Sequence, residues 1–134
     1  MFFLLFLIGF VVSQCPIFLK DHPVSCELIG TVGIGSIPLL YRERVSWDAP
    51  LTANITSDTQ CQCNGFKKGI EGSMGLQDAS QGVNRLVCFL SKTYGDSQVA
   101  LFSADLALWP SQRSQWQSAV TNYFNGASSI HCVE

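Results

Sequence analysis

All six cysteines of this chain lie beyond residue 14, and that distribution limits the folds open to it: Cys15, Cys26, Cys61, Cys63, Cys88 and Cys132. An even set of thiols in an exported chain forms disulfides, because the compartment oxidises paired thiols. Three bridges are therefore expected, and the spacing alone does not fix their connectivity. Cys61 and Cys63 stand two apart. On a strand they face the same side, so they should seek different partners. Cys15 and Cys132 sit near the two ends, where a bridge between them would stop terminal fraying.

Export itself is read from the first residues. Met1 to Ser13 is apolar almost throughout and carries no charged side chain, with Val11 and Ser13 as small residues before a cut that leaves Gln14 first. An apolar stretch of about 7–15 residues followed by small side chains is a secretory signal. The leader has no Lys or Arg, so only the Met1 amine supplies its positive end. A membrane-spanning helix needs about 20 apolar residues, and this run stops at Val12. The reading is residues 1–13 as signal peptide and residues 14–134 as one secreted domain, with no membrane span after cleavage. About 120 residues remain, enough to bury a real core.

The formal net charge of −2 gives no electrostatic reason to expect nucleic acid or an anionic membrane as partner. The basic clusters Arg42-Glu43-Arg44 and Lys67-Lys68 are read as solvated surface.

The clearest strand runs from Ile37 to Trp47. Leu39, Tyr41, Val45 and Trp47 share one face, Arg42, Arg44 and Ser46 the other, and only Glu43 breaks the apolar side. Val24 to Val32 is a second strand, ended or bulged at Gly30, Gly33 and Gly35. Asp48-Ala49-Pro50 ends the clearest strand. Thr52 to Cys63 carries the β-formers Thr52, Ile55, Thr56 and Thr59 and leads into Asn64-Gly65, which predicts a strand and turn. Gly69 to Gly82 holds four glycines and predicts a long loop. Val83 to Tyr94 and Gln98 to Leu106 form a candidate hairpin about Tyr94-Gly95-Asp96.

One helix is predicted near the C-terminus. Pro110 and Ser111 start it, Trp116, Ala119, Val120, Tyr123 and Phe124 form its apolar stripe, and Asn125-Gly126 stops it. Only Arg113 is charged along it, so it lacks the basic face of a membrane-surface helix and should pack on a sheet. Ile130 and Cys132 follow against that sheet. The fold class is thus α+β and β-rich: a small disulfide-stabilised antiparallel sheet or sandwich-like domain with one C-terminal helix.

Asn54-Ile55-Thr56 is the single glycosylation sequon. Cys26, Trp47 and Cys88 resemble the immunoglobulin pattern only loosely. Trp47 lies too far beyond Cys26, and Leu86 stands where the corner tyrosine belongs. Metal is not expected: Cys61-Gln62-Cys63 is too tight for a zinc knuckle, and disulfide formation competes for the thiols, Cys132 beside His131 included.

Of enzyme signatures, the nucleophile elbow, H-E-x-x-H and the Walker loop are absent. Gly30, Gly33 and Gly35 are followed by Ser36-Ile37-Pro38 where a dinucleotide site needs a helix. Lys20-Asp21-His22 could be drawn as an acid–base cluster, but neighbours on a strand point opposite ways. The sequence thus predicts a secreted, non-enzymatic binding or structural module, without cofactor. Its partner would be an extracellular protein or glycan, met through the Gly69–Gly82 loop with Met74 and Leu76. Two alternatives stand beside it. One is a small nuclease-like hydrolase using His22 and His131, helped by Lys20, Lys67, Lys68 or Lys92. The other is a secreted defence or inhibitory protein.

Overall fold

A computed structural model describes residues 15–52, 54–79, 84–95 and 98–132. The predicted signal peptide lies outside these residues. The alternating segment forms β2 (Ile37–Pro50), preceded by β1 (Val24–Ile34). They join through Gly35-Ser36, with Ile34 paired to Ile37, and Gly35 takes φ +63°, open to a residue without Cβ. β2 runs three residues further than its alternation predicts, through Pro50 opposite Val99, so proline sits at the strand's last position. β3 (Val87–Thr93) and β4 (Val99–Leu108) form the expected hairpin, and β5 (Ile130–Cys132) is the last strand among the described residues.

The sheet order is β3-β4-β2-β1-β5. β5 runs parallel to β1, so the five-stranded sheet is mixed, not purely antiparallel as expected. Among the described residues the strands form this one sheet.

Among the described residues two helices pack against it, where the sequence predicts one. α1 (Ile55–Met74) replaces most of the predicted strand over Thr52–Cys63 and the first six residues of the predicted Gly69–Gly82 loop, whose residues 80–82 lie outside the described ones. Its start is set by Asn54, whose side-chain oxygen accepts from Ser57 N, and its end by Gly75 at φ +69°. Asp58, Gln62, Phe66, Ile70 and Met74 are buried at four-residue spacing, a helical stripe that the β-branched residues before it obscure. Each polar member of that stripe has partners. Thr52 donates through N and Oγ1 to Asp58. Gln62 accepts from Trp47 Nε1 at 3.0 Å and donates to the Pro16 carbonyl.

Two of the glycines of α1, Gly65 and Gly69, admit a neighbour. A Cβ on Gly69 would lie 2.5 Å from the Tyr123 ring and one on Gly65 3.0 Å from its hydroxyl. The two helices therefore cross where α1 has no side chains. α2 (Arg113–Tyr123) follows a 3-10 turn at Pro110–Gln112 and buries Trp116, Ala119 and Val120, as its stripe predicts.

The core lies between the helices and one sheet face. Trp47 stacks on Phe66 with centroids 4.9 Å apart, and Phe66, Phe102 and Phe124 complete an aromatic cluster edged by Phe18. Such ring pairs add about 0.5–1.5 kcal/mol each beyond burial.

The cysteines pair as Cys15–Cys61, Cys26–Cys132 and Cys63–Cys88, leaving none free. The expected Cys15–Cys132 staple does not form, because parallel pairing places Cys132 in register with Cys26. Cys61 and Cys63 do take different partners, for a helical reason: two residues turn a helix by about 200°, so they face opposite ways. Cys61 reaches the N-terminal segment and Cys63 reaches β3. No helix among the described residues is long and apolar enough to cross a membrane.

Candidate functional site

Two surfaces are left by this arrangement, the sheet face away from the helices and the far end of the β1–β2 hairpin. On the sheet face polar side chains meet in rows. Arg44 donates from Nε and Nη2 to both oxygens of Asp105, at 2.7 and 2.8 Å, and stacks over Phe89. The bond to Asp105 raises the Arg44 pKa against the opposing effect of burial. Ser46 and Ser103 share a hydrogen bond of 2.8 Å.

In the next row Asp48 receives His22 Nδ1 and the Tyr94 hydroxyl, each at 2.9 Å, and the Lys92 ammonium lies 5.0 Å from the Tyr94 ring centroid. Burial foremost, then the bond to Asp48 and its charge, raises the Tyr94 pKa. These groups satisfy one another across the strands, so the face presents few unmet donors or acceptors.

The hairpin end is different in kind. β2 meets β4 only from Tyr41 onward, and β1 meets β5 only over Val24–Cys26. The hairpin beyond these pairings extends as a two-stranded arm. Along it the register shifts between Val32 and Gly33, which leaves Leu39 as an extra residue of β2 and breaks the alternation that runs through Tyr41, Glu43, Val45 and Trp47. Ile37 is 66% exposed, Val32 49%, Leu39 41% and Leu28 37%.

The arm's base is closed by charge. Arg113 donates from Nε to Glu43 at 3.0 Å, and its guanidinium lies 4.9 Å from the Tyr41 ring centroid. Glu43 is 1% exposed.

The sequence-predicted groups are dispersed. His22 finds its carboxylate in Asp48 rather than in the neighbouring Asp21. His131 is exposed on β5 beside Ser25, facing away from Cys132 by strand alternation. Among the described residues no hydroxyl or thiol is hydrogen-bonded to either imidazole. Lys67 bridges Glu71 and Asp78 and Arg44 is held by Asp105, whereas Arg42 and Lys68 are exposed. The predicted Gly69–Gly82 recognition loop is reduced, since Gly69 to Met74 is helix and Ala79 is buried with its amide on Glu71. Asn54 is exposed. No cluster of three or more His, Cys, Asp or Glu suited to a metal occurs among the described residues.

A small hollow of about 210 Å³ opens beside the Cys15–Cys61 bridge, lined by Ile17, Phe18, Gly65 and Tyr123. That is below the usual range for ligand pockets, about 300–1,000 Å³.

The fold and site together define a disulfide-stapled α+β domain with helices on one face of a mixed sheet. Comparison with protein-family models, curated proteins and solved structures finds no match to this chain.

Proposed function

We propose that the chain is an exported extracellular module that acts by binding, with the β1–β2 arm as its contact surface for a protein partner. One observation carries this reading: the hairpin runs out beyond its pairings with β4 and β5, and Val32, Ile37 and Leu39 stand exposed on it, with Leu28 exposed at its base. Large apolar side chains gathered in solvent on one projecting arm are the kind of surface that interaction sites use. The outer edge of β1 past Cys26 also has no strand paired to it among the described residues, which leaves backbone groups for a partner. Export is supported by the apolar leader and by three cysteine pairs at bonding distance.

The test is affinity capture from extracellular fluid with the wild type and the I37S/L39S variant. Full burial of each side chain is worth about 1.5–3 kcal/mol, so losing both should weaken the captured complex by about 10²-fold or more. Undiminished capture by the variant overturns the assignment of the arm.

A second reading rests on the His22–Asp48 contact, because a carboxylate that orients one ring nitrogen prepares the other for acid–base work. Hydrolysis of RNA or simple esters that disappears in H22A would support it. Equal rates in H22A and wild type would remove it.

A further inference from the structure

We infer that Asn54 carries an N-linked oligosaccharide whose first sugars lie along the opening turns of α1 and cover the groove beside them. The inference rests on the export proposed above and adds a modification and its packing.

The acceptor geometry is set by the cap. Asn54 is exposed and uses only its side-chain oxygen, which accepts from Ser57 N at 3.1 Å. Nδ2, the atom that takes the sugar, has no hydrogen-bond partner among the described residues, and Thr56, which completes the sequon, is also exposed. Capping and modification are therefore compatible on one side chain.

The transfer balances without a redox partner. A lipid-diphosphate-linked oligosaccharide supplies the sugar. A bond forms from Nδ2 to its anomeric carbon, the carbon–oxygen bond to the diphosphate breaks, and one Nδ2 proton is released as the lipid diphosphate leaves.

The groove begins at the sequon itself. About 370 Å³ of space lies along Ile55, Thr56, Thr59, Gln60 and Asn64, with the Cys63–Cys88 bridge as its far wall. Ten residues of helix span about 15 Å, room for two pyranose rings. Its chemistry is mixed in the way a sugar is mixed. Ile55, 47% exposed, and the disulfide offer apolar contact to C–H faces, whereas Thr56, Gln60 and Asn64 offer hydrogen bonds to hydroxyls. A chain tethered at Asn54 meets this surface at high effective concentration.

The experiment expresses the full chain, leader included, in eukaryotic cells and follows intact mass, localisation and binding of a hydrophobic dye. The expected product is secreted, carries hexose and N-acetylhexosamine mass on Asn54, and loses it in T56A, which keeps the Asn54 cap. Enzymatic release converts Asn54 to aspartate, which still caps α1. A rise in dye fluorescence on release therefore reports the uncovered groove, and I55S should abolish that rise. Secreted protein without sugar overturns the inference and leaves export standing, whereas unmodified protein in the cytosol overturns both. Sugar on Asn54 with no change in dye binding on release overturns the packing.

Discussion

Glu43, the one charged residue on the apolar side of β2, holds Arg113, the one charged residue of α2, at 3.0 Å from Nε to Oε1. Each is an anomaly in its own element, and each accounts for the other. The pair ties the start of α2 to the middle of β2, at the boundary between the covered core and the free arm.

Breaking that pair leaves a buried charge without its counter-ion. Arg113→Ala should lower unfolding free energy by about 3 kcal/mol in urea titration, whereas the double variant E43L/R113M should recover most of it. A loss that persists in the double variant would show that packing, not charge, holds this junction.

How far this was legible in the sequence differs by element. β2 shows itself because its alternation is unbroken but for Glu43. α1 does not, because two of its five buried positions, Asp58 and Gln62, are polar and Ile55, Thr56 and Thr59 favour strands. Gly65, Gly69 and Gly72 read as loop, yet the first two are gaps for Tyr123, a requirement that only the crossing helix reveals. Likewise His22 shows its residue type but not its partner, since Asp48 arrives from 26 positions away. The arm is not legible in the sequence, because apolar residues in a strand pattern do not say where the helices stop.

Two glycines of α1 should respond oppositely to alanine. Gly69→Ala drives a methyl to 2.5 Å from the Tyr123 ring and should destabilise by about 1–3 kcal/mol. Gly72→Ala meets nothing within 4 Å and should stabilise by about 0.5–1 kcal/mol through helix propensity. Thermal unfolding of both variants checks the placement of α1 against α2.

Tyr94 and Tyr123 both titrate above the ordinary tyrosine value, about 10, with burial the largest cause for each and Asp48 adding to the shift at Tyr94. A raised folded-state pKa favours the protonated phenol. The stabilisation is therefore complete below the unfolded value and is lost as pH rises through the folded ones. Stability should fall on the alkaline side above pH ~10, and Y94F should flatten that fall. Phenolate absorbance that shows every tyrosine titrating at the ordinary value would contradict this.

The Cys63–Cys88 bridge joins α1 to β3 across 25 residues. Replacing both cysteines by alanine should cost about 3 kcal/mol if loop closure dominates. The loss should appear as faster hydrogen exchange in β3, which lies at the sheet's edge.

The bridge pattern tests the fold most directly, because it fixes which elements are neighbours. Cleavage after Lys and Arg without reduction puts Cys61 and Cys63 in one peptide and every other cysteine in its own. Mass spectrometry should find the Cys61/Cys63 peptide joined to both the Cys15 and Cys88 peptides, and the Cys26 peptide joined to that of Cys132. A Cys15 peptide attached to the Cys132 peptide, or titratable thiols in the folded protein, would contradict the architecture.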